Sequence, residues 1–355
     1  MIGERIKRAR TASGLSQRAL AERAELSAMA ISKFERDELT PTSETLLRLA
    51  KALDTRVEFF FRPDSPALER TEYRKRSSLG KKQLARVEAD VVERVERFLE
   101  VIALFPQPPV EAFAVPRAVP ARVETLDAIE QVAEAVRGAW GLGLDSIEHL
   151  AETLETHGVL VVSTAADGDQ KFDGLAATVA GYPLIVVGAQ WPGDRQRFTM
   201  AHELGHLTLA GRLGEALDEE KACNRFAGAF LAPRAAVLSE LAGQRSYISP
   251  GELAALKKKY GLSMLAWVFR ACDVGRMSRA AATDMFRTFS RRGWRKREPG
   301  EPVPPEVPKL FERLVLHALA EDMISASKGA ELLGVALGEL RDRIELESRS
   351  VAPRQ

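Results

Sequence analysis

The sequence predicts a mainly α protein with a small β-sheet, α+β in class, and three observations carry that reading. Apolar residues recur at steps of three and four through most of the 355 residues. One stretch alone offers short β-rich runs, at Val159–Ser163, Gly174–Val179 and Leu184–Val187. Two proline-rich joints, one holding Pro106, Pro108, Pro109, Pro116 and Pro120 and the other spanning 298–308, punctuate the chain. The expected organisation is a helical head at 1–61, a linker at 62–120 with an amphipathic helix over 84–104, a body at 121–297, and a joint with a small helical tail at 298–355.

Composition narrows the class. The chain is 45% hydrophobic and 28% charged with a net charge of +1, the balance of an ordinary globular protein. No apolar run approaches the roughly 20 residues of a membrane helix. The opening MIGERIKRAR lacks the apolar core of a signal peptide. Two cysteines, Cys223 and Cys272, exclude a disulfide framework and a cysteine-based zinc finger, and fit a reducing cytoplasm. A cytoplasmic protein without a membrane partner is expected. Charge is uneven: residues 1–82 carry 18 Lys/Arg against 12 Asp/Glu, a net of +6, leaving −5 for the remainder.

In the head, a first helix carries Ile6 and Arg10 and ends near Ser13-Gly14. A second runs over 17–24 after a cap at Ser16, with Ala19 and Leu20 inward. A third runs from a cap at Ser27 to about Glu35, with Ile31 and Phe34 inward. Pro41 breaks the chain, and a further helix spans 43–53. The series Leu15-Ser16-Gln17, Leu20-Ala21, Leu26-Ser27, Ile31-Ser32, Glu35 and Pro41 resembles the phage-repressor-like helix-turn-helix family of the XRE class over residues 2–58. That resemblance implies a third helix lying in the major groove of a double-stranded operator, and a dimer matched to paired half-sites. The outer side of that helix offers Ser27, Ala28, Met29, Ser32 and Lys33 to base edges, with Gln17 donating to phosphate. Arg5, Arg8 and Arg10 are expected to supply sequence-independent attraction. The family often has glycine where Glu25 and Asp37 stand; aspartate tolerates left-handed geometry, whereas Glu25 adds negative charge near the groove.

Beyond the head, residues 62–83 are polar and basic and read as a linker. Leu84, Val87, Val91, Val95, Phe98 and Ile102 then mark an amphipathic helix that packs on the body or on a second copy of itself. In the body, one helix covers about 123–140 and another starts at Asp145, with Glu148 as its capping partner. After the three strands, helices span about 194–210 and 217–231, and 250–292 is helical again.

Residues 202–206 read His-Glu-Leu-Gly-His. With this chain's composition, roughly 0.01 such matches are expected by chance. On a helix the two histidines lie one turn apart on one face, so both imidazoles reach one ion at ~2.0–2.1 Å. Glu203 projects differently and is placed to act on water as a base. Two histidines leave the ion short of a ligand, and the following helix starts with two candidates, Glu219 and Glu220. Its Ala222, Phe226, Ala229 and Phe230 make the stripe that packs it on the first helix.

The residues Asp173-Gly174, Arg197-Phe198-Thr199-Met200-Ala201-His202-Glu203-Leu204-Gly205-His206, Glu220-Lys221-Ala222-Cys223-Asn224-Arg225-Phe226-Ala227 and Leu231-Ala232-Pro233 together resemble the ImmA/IrrE-like metallopeptidases over about 125–290. The resemblance implies a zincin-like body, Zn2+ as cofactor, Glu220 as third ligand beside His202 and His206, and Glu203 as catalytic base. It also implies an endopeptidase that cleaves a repressor protein, derepressing stress or mobile-element genes. Zinc would acidify water to a pKa of about 7, and Glu203 would carry its proton to the leaving amine. Gly205 fits a close approach of the second helix, and the strand at 174–179 could take an extended substrate by strand addition. His157 and Arg225 are weak guesses for an oxyanion donor. The competing reading is a non-proteolytic repressor or antitoxin with a degenerate body, its cognate toxin held by the tail or the 84–104 helix.

Other features read as structural. His149, His157 and His317 stand alone, and Cys223 reads as a small buried hydrophobe. Arg291, Arg292, Arg295, Lys296 and Arg297 surround Trp294 and read first as a solvated helix end, second as a contact with DNA or an acidic partner. Residues 325–335 resemble another small helix-turn-helix, read as packing or partner recognition.

Overall fold

The computed structural model describes residues 2–61, 81–165 and 172–351, with the side chains of 81–85 and 345–351 outside the description. Most of the expected linker, 62–80, lies outside the described residues, as does the side chain of Leu84. The fold is mainly α with one three-stranded sheet. Among the described residues no helix is long and apolar enough to cross a membrane.

The head folds as α1 (Ile2–Ala12), α2 (Gln17–Arg23), α3 (Ala28–Glu35), α4 (Ser43–Ala52) and a 3₁₀ turn (Val57–Phe61). Local chemistry sets the starts: Ser16, Ser27 and Thr42 each accept from the backbone N–H three residues on. Ile6, Leu20, Ile31, Phe34, Leu49 and Phe60 close one core. In α2 it is Leu20 and Ala21 that are buried, with Ala19 half-buried. Glu25 and Asp37 both take positive φ, 54° and 53°, so the left-handed turns that glycine favours are kept without it. Asp37 is compensated, because its Oδ1 accepts from Gly3 N–H at 2.8 Å. Glu25 is solvent-exposed.

After α5 (Lys81–Ile102) come α6 (Ala128–Ala139), α7 (Leu150–Thr156), β1 (Leu160–Thr164), β2 (Gly174–Val179) and β3 (Tyr182–Gly188). The sheet order is β1-β3-β2, with β1 parallel and β2 antiparallel to the central β3. Both faces of β3 are covered, which explains its unbroken apolar run. Ile185 and Val187 face one core with Met200, Ala201, Leu204 and Phe226. Leu184 and Val186 face a second core with Val87, Val91, Val95 and Phe98 of α5 and Leu310, Leu314 and Leu332 of the tail. The amphipathic helix therefore packs on the body, with Val101 buried and Ile102 only half-buried.

The remaining helices are α8 (Gly193–Leu209), α9 (Glu219–Leu231), α10 (Arg234–Glu240), α11 (Pro250–Tyr260), α12 (Met264–Asp273), α13 (Arg279–Arg291), α14 (Leu310–Ala320), α15 (Ala326–Leu333) and α16 (Leu337–Val351). The helix expected to start at Asp145 starts at Leu150 instead. Its cap comes from far along the chain, where the Glu306 carboxylate accepts from Leu150 and Ala151 N–H at 3.2 and 3.1 Å. The same carboxylate pairs with buried Arg197. Glu306 sits in the second proline-rich joint, which is thus a strap across α7 and α8. Gln196 Oε1 accepts from Glu306 N–H at 2.8 Å, and Gly193 N–H donates to Val303 O at 2.8 Å.

Candidate metal centre and DNA-reading face

Two close helix contacts build the centre. A Cβ at Gly174 would overlap the Thr199 side chain and Val186 O, so glycine lets α8 lie directly on β2. A Cβ at Gly205 would meet Phe226 Cδ1 at 3.2 Å and Cys223 Cα at 3.3 Å, so glycine lets α9 lie close against α8. That approach brings Glu220 over the histidine face. His202 Nε2 and His206 Nε2 are 3.1 Å apart. Glu220 Oε2 is 3.5 Å from His202 Nε2, and Oε1 is 3.9 Å from His206 Nε2. Tetrahedral ligands at ~2.0–2.1 Å from one ion stand about 3.3 Å from each other, so these three side chains could hold one divalent cation. Glu203, the next residue on α8, is buried.

The outer ring nitrogens are engaged too, and sequence reasoning gave these partners no such role. His202 Nδ1 lies 3.0 Å from Asn224 Oδ1, an acceptor, so Nδ1 carries the proton and Nε2 faces the cation site. His206 Nδ1 lies 2.7 Å from Glu219 Oε1, with the same consequence. Glu219, one of two ligand candidates in the sequence, therefore sits behind a histidine, and Glu220 sits in front. The spacing of α9 was the available signal: positions 219, 220, 223 and 224 all turn toward α8 when Gly205 admits the helix. Cys223 is buried as expected, but it is more than a hydrophobe: its Sγ is 3.3 Å from His206 Nδ1.

Beneath α9 lies a buried ionic network. Arg225 donates to Glu130 at 2.7 Å, Asp273 at 3.0 Å and Asp127 at 3.1 Å. Arg270 donates to both Glu130 oxygens, at 2.6 and 3.0 Å, and to Ala232 O. Burial pushes the Glu130 carboxyl up, but the two guanidiniums more than offset it and hold it below the usual range. Asp273 goes the other way, raised by burial. This corrects one guess for an oxyanion donor, since Arg225 is committed to tying α6, α9 and α12 together. The other, His157, stacks on Trp140 at 4.1 Å and donates from Nδ1 to Thr153 O. Arg197, next to the histidine motif, is likewise structural, donating to Ile147 O at 2.5 Å and to Glu306.

In the head, Ser27, Ala28, Met29 and Lys33 are exposed on α3 and Ser32 is half-buried. Met29 is 69% exposed, too much for a core methionine. Ser27 also caps its helix, and Ser32 Oγ accepts from Arg36 at 2.7 Å. Gln17 does not point at solvent: its Nε2 donates to Glu35 Oε2 at 2.7 Å. Arg10 is bound to the same buried Glu35, at 2.5 and 3.0 Å. Arg5 and Arg8 both pair with Glu96 of α5. The three arginines expected to attract phosphate are thus spent inside the protein, two of them docking α1 onto α5.

The two ends of this architecture match known families separately. The family model for the helix-turn-helix matches residues 6–60. That for the IrrE N-terminal-like domain of the M78 peptidase family matches residues 154–271. Comparison with curated proteins finds no match. The chain joins a helix-turn-helix domain to an IrrE N-terminal-like, metallopeptidase-like domain in one polypeptide.

Proposed function

We propose that this protein is a DNA-binding regulator whose body is a zinc-dependent endopeptidase acting on a partner protein, in the first instance a repressor. The observation that carries the reading is the convergence of His202 Nε2, His206 Nε2 and a Glu220 carboxylate oxygen within ligand spacing, each histidine backed by an acceptor on its far nitrogen. When bound, a divalent ion there supplies Lewis acidity to water and to the scissile carbonyl. Glu203 takes a proton at its carboxylate and returns it to the leaving amine. Among the described residues β2 pairs only with β3, so its free edge can hold an extended peptide beside α8. Asn224 and Glu219 keep both imidazoles in the tautomer that ligation requires.

At the other end, Ser27, Ala28, Met29, Ser32 and Lys33 read base edges of an operator half-site, and two chains read the two halves. Gln17 reaches phosphate by leaving Glu35. Fusion delivers the peptidase to the promoter where its substrate sits.

The test pairs Glu203→Gln with the wild type. Operator selection from a random duplex library should recover one motif with both proteins, and zinc content should be equal. Cleavage of repressors encoded beside the selected operators should be lost only in the variant. Regulation that survives the substitution unchanged would remove proteolysis from the mechanism.

A further inference from the structure

We propose that the C-terminal end of α13 and the turn after it form a second, sequence-independent contact with the phosphate backbone of duplex DNA. Six cations fall within eleven residues: Arg287, Arg291, Arg292, Arg295, Lys296 and Arg297, all exposed. Among the described residues only Arg287 has a carboxylate partner, Asp284 at 3.1 Å, and that pair is itself 73% exposed on each side. Among the described residues no carboxylate lies within 4 Å of the other five. Several arginines elsewhere are paired: Arg5 and Arg8 with Glu96, Arg10 with Glu35, Arg197 with Glu306, Arg225 and Arg270 with Glu130. Five neighbouring cations with no carboxylate partner among the described residues, in a chain whose residues after 82 carry a net charge of −5, form a local field that intramolecular pairing does not use.

The segment is also held in place from both ends, unlike a frayed helix terminus. Trp294 N–H donates to Phe289 O at 2.9 Å, and its ring meets buried Phe289 edge-on at 5.5 Å. The Arg292 guanidinium lies 4.8 Å over that indole. Four residues on, the Glu298 carboxylate accepts from Met264 and Leu265 N–H at 3.0 Å each and from Lys257 Nζ at 2.8 Å. Between these anchors Gly293 turns the chain at φ 70°, and Arg295, Lys296 and Arg297 face solvent. Presenting fixed guanidiniums costs less ordering on binding than presenting a loose tail. Guanidinium pairs with phosphate through two parallel N–H donors, and a duplex offers one charge per ~1.7 Å of its axis. The arginines of α1, Arg5, Arg8 and Arg10, are consumed by pairing, so this ridge would supply phosphate attraction that α1 does not. The choice of DNA over an acidic protein rests on the reading of the head as a DNA-binding module.

The test uses the full chain with zinc, a 40-base-pair duplex of random sequence, and fluorescence anisotropy across salt. Each phosphate contact contributes about 0.9 to the slope of log affinity against log salt. The variant Arg291→Gln/Arg295→Gln/Lys296→Gln/Arg297→Gln should flatten that slope by about 2 to 4 and weaken binding at least tenfold at low salt. Replacing the three arginines by lysine should restore most of the slope, which a purely structural role would not. Ala28→Glu/Ser32→Glu on the recognition helix should erase sequence preference and leave most of the slope in place. An unchanged slope in the glutamine variant overturns the proposal. So does complete loss of duplex binding in the recognition-helix variant, or glutamine-variant loss confined to an acidic polypeptide such as polyglutamate. A slope lost with sequence preference kept assigns the effect to the ridge and leaves the head reading intact.

Discussion

The head and the metal centre both depend on two short helices meeting, yet they are supported in different ways. In the head, α2 and α3 start on their own serine caps, and the exposed face of α3 has little behind it but Ile31 and Phe34. In the body, His202 and His206 each have an acceptor on the far ring nitrogen, and the helix carrying Glu220 rests on an ionic network spanning α6, α9 and α12. A base-reading surface needs exposed groups on a stiff rod. A metal site needs its ligands held in geometry and in one tautomer, and that requires a second layer.

The sharpest way to break this contrast is Glu130→Ala. It leaves Arg270, 1% exposed, and half-buried Arg225 without Glu130, the carboxylate both bind most closely, so that Asp273 alone is left to both. A loss of about 3–5 kcal/mol of unfolding free energy in urea is expected, with zinc content falling alongside. Head unfolding should stay unaffected.

Next is the tail's attachment. Glu155 accepts from Leu310 and Lys309 N–H at 3.0 and 3.1 Å. Burial pushes its carboxyl up to about 7 against those hydrogen bonds. Because the folded value lies above the unfolded one, this contribution is fully present below about pH 4.5 and is lost as pH rises through about 7. The difference in stability between wild type and Glu155→Gln should therefore move by about 3 kcal/mol, in the variant's favour, between pH 4.5 and 7.5. A difference that does not vary with pH would place the titration elsewhere.

A smaller effect separates the two layers of the metal centre. Glu219→Ala and Asn224→Ala should each weaken zinc binding by about 10–100-fold in a chelator competition, whereas Glu220→Ala should abolish stoichiometric zinc. Equal losses from Glu219 and Glu220 would mean that both are ligands. The smallest effect is in the head. Glu25→Gly relieves a left-handed, exposed glutamate and should raise stability by about 1 kcal/mol. Asp37→Gly should not, because it forfeits the bond from Gly3.

Much of this protein was legible before any coordinates. The serine caps, the alternation of three strands and the five-residue histidine motif are local signals, fixed by spacing within a few residues, and their elements lie within a few residues of the expected positions. Arg5, Arg8 and Arg10 read as phosphate binders because a basic residue near a helix-turn-helix has that meaning on average; their partners, Glu96 and Glu35, stand 25 to 91 residues away. Arg225 was misjudged for the same reason, its anion Glu130 standing 95 residues away.

The chain's order of residues alone determined that two histidines would share a helix face and that an acidic pair would open the next helix. Periodicity guarantees both. Which glutamate faces forward, what accepts from the far N–H of each imidazole, and where α7 begins were decided in three dimensions. Each depends on how closely α9 crosses Gly205 or on Glu306 returning 156 residues later to cap Leu150. Helix propensity is additive along the chain, but a buried charge is stable only where its counterion is, and that position belongs to the fold.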